Sequence, residues 1–170
     1  MAKNIIVSNR LPIQLTKLDN SFEFTPTSGG LATGMNSVHK GQESLWIGWP
    51  GIDNDDIDKK TWAPLKKSLK REGYFPVSLN HKEIEDFYYG LSNKSLWPLF
   101  HYFIEFSVFD EKQWKSYQEV NQKFADSVLS NIEERHTVWI HDYQLLHCPN
   151  MIKDDQPDVT IGYYLHIPYP

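Results

Sequence analysis

The 170 residues include a single cysteine, Cys148. It has no partner for an internal disulfide and no CxxC spacing for zinc, so a reducing compartment is the expected setting. No apolar run approaches the roughly 20 residues that span a bilayer, and Met1-Ala2-Lys3-Asn4 leads into a strand pattern rather than a secretory apolar stretch. A cytoplasmic location, off the membrane, is the expectation. Positive charge is short as well: 17 Lys and Arg against 22 Asp and Glu leave a net charge of -5. That argues against general affinity for nucleic acid or anionic membrane, and any anion site must rest on few, local cations. The chain has no internal repeat, no low-complexity linker, no GxGxxG fingerprint and no P-loop.

What is present is a chain long enough to bury one core, with 14% aromatic residues, six of them Trp. Its organising stretch is 137–170. Two short apolar runs, 137–140 and 160–165, each meet a polar group at once, His141-Asp142 in the first case and His166 in the second. Strands buried on both faces of a parallel sheet read as continuous apolar runs, and ligands bind beyond their carboxyl ends. Residues 143–153 between them are long enough for a crossover helix, bent or restarted at Pro149. Asp142 and His166 thus stand where chemistry sits in such folds. The plainer reading makes Asp142 a helix cap and His166 a buried, satisfied histidine before a proline turn.

The rest of the chain fits the same α/β plan. Residues 4–7 form a first buried strand that breaks into Ser8-Asn9-Arg10-Leu11-Pro12, leaving Arg10 as a cation at a strand tip, suited to a phosphate or to a surface ion pair. A polar loop then leads to Ser28-Gly29-Gly30, followed by Leu31, Met35 and Val38 on one helix face, with Gly41 ending that helix. Glycines opening a helix let backbone amides approach a phosphate, though such a sequence also makes a simple turn. The strand 44–48 stops at Trp49-Pro50-Gly51, where the Trp49 ring either faces a ligand or plugs the sheet. The acidic residues 53–58 predict a solvated loop or helix start. Trp62, Leu65 and Leu69 mark an amphipathic helix ended by Gly73, and 74–79 reads as an edge strand because of Pro76. Asn80 and Glu83 form a capping box for a helix through Ile84, Phe87 and Tyr88. Residues 88–102 are aromatic and broken, a poor fit to a plain helix. Asp110 and Gln113 open the longest helix, whose apolar face is Trp114, Tyr117, Val120, Phe124, Val128 and Ile132.

Taken in order, VSNRLP, SGGL, WIGWPG, YYGLSNKSLWPLFHY, VWIHDYQLL and GYYLHIPYP resemble the trehalose-6-phosphate synthase family of retaining glycosyltransferases across nearly the whole chain. The resemblance implies the GT-B architecture, two Rossmann-like domains facing across a cleft. Residues 1–170 look like the N-terminal, acceptor-side domain, a parallel sheet with flanking helices that stops within the LHIPYP motif. The C-terminal nucleotide-sugar-binding domain is then absent, and the piece alone is expected to be inactive.

The implied reaction transfers glucose from UDP-glucose to glucose 6-phosphate with retention, giving trehalose 6-phosphate. By resemblance Arg10 and Tyr88 hold the acceptor's phosphate, and Asp142 hydrogen-bonds the acceptor sugar. Trp49 and Trp97 shape the acceptor pocket, Gly29 and Gly30 lie near the donor's phosphates, and His166 lies beside the donor sugar. The cations that stabilise the departing diphosphate come from the second domain in this family, so neither a metal nor another cofactor is implied, and UDP-glucose is a co-substrate. A homo-oligomer is compatible with the resemblance. The rival readings are a sibling enzyme, such as glucosylglycerol-phosphate synthase, and a phosphosugar-binding module without catalysis.

Overall fold

The structure is a computed structural model that describes residues 4–18, 21–27, 30–41, 44–133 and 136–170. Strand β1 (Asn4–Arg10) lies at the centre of a five-stranded parallel sheet in the order β5-β4-β1-β6-β7, with β4 spanning Ser44–Trp49, β5 Tyr74–Pro76, β6 Thr137–His141 and β7 Thr160–Tyr164. Alternation of side chains along each strand divides the apolar residues between two cores. Ile5 and Val7 of β1, Ile47 and Trp49 of β4, and Val138 and Ile140 of β6 face one layer, where they meet Phe87, Tyr117, Val120 and Phe124. Ile6 and Trp46 face the opposite layer with Leu65, Leu69 and Tyr74. Over β6 and β7 this second face is open, leaving Trp139 44% and Tyr164 61% exposed.

The remaining elements follow in chain order. Helix α1 (Gly30–Gly41) and helix α2 (Lys59–Arg71) serve the second face, where Leu31 and Met35 pack beside Leu65 and Leu69; the Val38 side chain lies outside the described residues. Asp58 caps α2 by accepting from the Lys60 and Thr61 amides, so the acidic stretch is a helix start. Gly73 leaves α2 at φ +82° as expected of a C-terminal glycine. Asn80 and Glu83 make the predicted reciprocal capping box before α3 (His81–Glu83). Helix α4 is a short turn, Trp97–Phe100, and α5 (Glu111–Leu129), capped by Asp110, lays Tyr117, Val120, Phe124 and Val128 into the first core. Helix α6 (Cys148–Asp155) starts with Pro149 in its first turn, so the crossover is a 3-10 turn (Tyr143–Leu145) followed by a restarted helix.

Three expectations need correcting. The stretch read as a polar loop after Pro12 is an antiparallel hairpin, β2 (Ile13–Leu18) with β3 (Ser21–Pro26). Its apolar residues Ile13, Leu15, Phe22 and Phe24 pack on the second core, and this tertiary burial outweighs the polar character of the positions between them. The strand expected over 74–79 is only Tyr74–Pro76; it is an edge strand, as predicted, and because Val77 donates its amide to Gly48 O, the amide that Pro76 lacks is on the side away from β4. The helix expected through Ile84, Phe87 and Tyr88 is an α-helix only over His81–Glu83 and continues as a π-helix, Ile84–Leu96, whose wider turns account for the expected poor fit of the aromatic stretch to a plain helix.

Candidate functional site

The carboxyl ends of β1, β4, β6 and β7 come out on one edge of the sheet. At the end of β1, Ser8 Oγ accepts from the buried indole of Trp46 and donates to the Arg10 carbonyl, which turns the chain out of the ladder. Gly48 lets this turn pass, since a Cβ there would come within 2.8 Å of the Leu11 amide nitrogen and 3.0 Å of Ser8 O. Arg10 itself is exposed, its guanidinium carbon 4.8 Å from the centre of the Trp49 ring. Trp49 is 5% exposed and donates its indole N–H to Ile52 O at 2.9 Å. It plugs the sheet end and supports Arg10 with its face, so little of the ring is left for a ligand. It also meets Tyr88 on the π-helix, with ring centres 6.1 Å apart. Arg10, Trp49 and Tyr88 are therefore one assembly drawn from three elements.

A second assembly forms where β6 and β7 end. Asp142 has φ 77° and ψ 165°, a region that side-chain-bearing residues avoid. The surroundings hold it there: its amide donates to Tyr164 O at 2.8 Å, its carbonyl accepts from the Tyr163 hydroxyl at 2.6 Å, and its Oδ1 accepts from the Tyr143 and His166 amides at 3.0 and 3.3 Å. Asp142 does cap the following 3-10 turn, as the plainer reading had it, but in a strained conformation that a cap does not require. His166 is exposed, contrary to the reading of it as a buried histidine, and its Nε2 lies 3.0 Å from His141 Nδ1.

Trp97 joins this assembly through Tyr143, the two ring centres being 5.7 Å apart, and is itself 44% exposed. The Tyr143 hydroxyl donates to Asn93 Oδ1 at 3.0 Å, tying the turn after Asp142 to the π-helix. Burial, with Asp142 and Tyr88 nearby, pushes the Tyr143 hydroxyl above its ordinary range, so it stays protonated. Gly30 opens α1 and is exposed; a Cβ there would meet nothing within 4 Å, so no packing demands glycine at that position. Gly29 lies outside the described residues.

Sequence reasoning marked His141 only as a polar strand end, with no role of its own, and missed Tyr143, Tyr163 and Asn93. It also missed the buried pair behind them. Tyr117 donates its hydroxyl to Tyr143 O at 2.7 Å and accepts from the Leu146 amide at 3.1 Å. Asn121 donates to Gln144 O and accepts from the His147 and Cys148 amides. The signal available was the placement of Tyr117 and Asn121 one turn apart on the inner face of α5. Among the described residues no group of three or more His, Cys, Asp or Glu side chains is arranged to hold a metal ion, and no helix is long and apolar enough to cross a membrane.

A parallel α/β sheet flanked by helices, with a guanidinium, a carboxylate and an imidazole at the carboxyl ends of its strands, defines a Rossmann-like domain. More specifically, the chain belongs to glycosyltransferase family 20, whose model matches residues 2–170. It is 41% identical over 172 residues to the UDP-forming alpha,alpha-trehalose-phosphate synthase of Botryotinia fuckeliana, covering 98% of this chain and 32% of that protein. Its fold matches an alpha,alpha-trehalose-phosphate synthase (UDP-forming) from Burkholderia xenovorans in complex with glucose-6-phosphate, with a TM-score of 0.74 at 26% identity, over 99% of this chain and 34% of the other. An E. coli trehalose-6-phosphate structure bound with UDP-2-fluoro glucose matches with a TM-score of 0.75 at 29% identity, over 98% and 33%. The chain thus spans about a third of the length of these relatives.

Proposed function

We propose that in the complete protein this domain, residues 1–170, holds glucose 6-phosphate as acceptor for glucose transferred from UDP-glucose with retention, giving trehalose 6-phosphate. The observation that carries the reading is the Arg10–Trp49–Tyr88 assembly beside a carboxylate, Asp142, held at the neighbouring strand end. A guanidinium and a phenol hydroxyl together suit a phosphate, and a carboxylate suits sugar hydroxyls. The relatives' bound glucose-6-phosphate and UDP-2-fluoro glucose support the same pair of substrate classes, and favour a trehalose-phosphate product over a sibling acceptor.

In this reading Arg10 and Tyr88 grip the acceptor's phosphate. Asp142 Oδ1 is engaged with two backbone amides, which leaves Oδ2 to accept from an acceptor hydroxyl. Trp97 walls the acceptor site, Gly30 at the start of α1 serves the donor's diphosphate, a role the family resemblance also gives Gly29, and His166 lies beside the donor sugar. The acceptor oxygen forms its bond to the anomeric carbon on the face from which the diphosphate departs. The electrons of the breaking C–O bond go to the diphosphate, and the acceptor's hydroxyl proton passes to the departing phosphate oxygen. Positioning and charge stabilisation carry this step, so it needs no metal. The cations for the leaving group belong to the nucleotide-sugar domain, which makes this domain alone inactive. The reaction's phosphorylated and nucleotide substrates fit a cytoplasmic setting.

Calorimetric titration with glucose 6-phosphate, with glucose as control and Arg10→Ala beside the native chain, tests the reading. Binding that needs the phosphate and is lost in the variant supports it. Equal affinity for glucose and glucose 6-phosphate, or an unaffected variant, would remove its basis. Transfer from UDP-glucose by the complete protein, with chelator present, tests the metal-free reaction.

A further inference from the structure

His141 is the last residue of β6 and is 3% exposed, on the sheet face it shares with Trp139 and Tyr164, whose rings are each 6.4 Å from its own. Its Nδ1 is 3.0 Å from His166 Nε2, with the ring centres 5.3 Å apart. Its other nitrogen, Nε2, is buried and without a hydrogen-bond partner. The carboxylate of Asp142, next in the chain, is turned to the Tyr143 and His166 amides.

In a contact of 3.0 Å between two ring nitrogens, one must donate and the other accept. Burial, and then the neighbouring His166, hold His141 neutral, with its pKa lowered to about 4, so it carries one ring proton. If His166 Nε2 were the donor, the His141 proton would sit on Nε2, a buried N–H with nothing to accept it. If His141 Nδ1 donates, the orphan is only a lone pair. Buried N–H groups without partners are the rarer and costlier kind.

We infer that His141 is a positioning residue: its Nδ1–H donates to His166 Nε2 and fixes His166 in the Nδ1–H tautomer. His166 then offers an incoming sugar oxygen a hydrogen-bond donor and has no free lone pair with which to act as a base. The inference rests on the proposed function only for the identity of that oxygen, a hydroxyl of the donor glucose. It also deepens that reading, because with His166 excluded as a base the acceptor's proton is left to the departing diphosphate.

Nitrogen and carbon NMR of histidine-labelled protein reads the tautomer directly, with His166→Asn used to assign the His166 signals. The expected result is the Nδ1–H form of His166 in the native chain, reversion to the Nε2–H form that free histidine prefers in His141→Phe, and retention of Nδ1–H in His141→Asn, whose amide can donate from nearly the same place. An Nε2–H His166 in the native chain, or an unchanged tautomer in His141→Phe, would overturn the inference; should His141→Phe fail to fold, the native and His141→Asn spectra decide. In the complete protein His141→Phe should lower kcat about tenfold, the worth of one hydrogen bond, with KM for glucose 6-phosphate unchanged and activity recovered in His141→Asn. If the tautomers come out as expected while even the native protein transfers no glucose, the functional reading fails and the assignment of His166 stands.

Discussion

The guanidinium of Arg10 lies between the ring of Trp49 and the backbone of Gly51: its carbon is 4.8 Å from the ring centre, and a Cβ on Gly51 would fall 2.0 Å from its Nη2. Gly51 also sits at φ +84°, where other residues are strained. Gly51→Ala is therefore expected to displace Arg10 and weaken glucose 6-phosphate binding nearly as much as Arg10→Ala. Loss of charge-assisted hydrogen bonds worth about 1.5–3 kcal/mol corresponds to roughly 10- to 150-fold in affinity, readable by calorimetry. Native affinity in Gly51→Ala would show that the stacked position is not the binding position.

The backbone of Asp142 allows a cleaner separation of strain from side-chain chemistry. Asp142→Gly and Asp142→Ala both delete the carboxylate, but only glycine is at ease at φ 77°, ψ 165°. Relief of about 1–3 kcal/mol of strain, less the larger chain entropy that glycine carries when unfolded, should leave Asp142→Gly about 1 kcal/mol more stable than Asp142→Ala. Urea midpoints measure the difference. Both variants should lose acceptor binding.

His141 gives stability a pH dependence whose sign follows from linkage. Its pKa is near 6.5 in the unfolded chain and about 4 when folded, so the unfolded state takes up the proton first as pH falls. Stability is lost from pH 6.5 down to pH 4 and levels off below, by up to about 3 kcal/mol at 1.36 kcal/mol per unit. Urea midpoints across that window should fall more steeply for the native chain than for His141→Phe. Parallel curves would mean that His141 titrates alike in both states.

Asn121 is fully buried on α5 and holds the turn behind Asp142 from within the core. Asn121→Leu preserves volume but leaves the Gln144 carbonyl and the His147 and Cys148 amides without a side-chain partner. Destabilisation of about 2–4 kcal/mol is expected, together with weaker acceptor binding as Asp142 loses its support. A stability change under about 0.5 kcal/mol would show that water or backbone relaxation replaces those bonds.

Local signals in the sequence determined a good deal of this protein. The apolar runs ending in Arg10, Trp49, Asp142 and His166 read as parallel strands because both faces of such a sheet are buried, and the caps at Asn80 and Asp110 work through neighbours three residues on. Pro76 marked the edge strand, since a missing amide cannot serve a central ladder. Other features depended on the folded chain. The hairpin over residues 13–26 is stabilised by a core its own sequence does not reveal. The π-helix that carries Tyr88 and Asn93 follows no 3.6-residue period. Trp49 became a support for Arg10 once burial had removed most of its surface.

The contact between His141 and His166 exists only because β6 and β7 pair in register, setting His141 against Tyr164. The conformation of Asp142 depends on Tyr163 and Tyr164 of β7 and on His166 just beyond that strand, all of which hold it from outside its own segment. Periodicity records which face a residue turns to its own element. It carries nothing about which side chain will stand opposite from 25 positions away, and that is where the geometry of this site was decided.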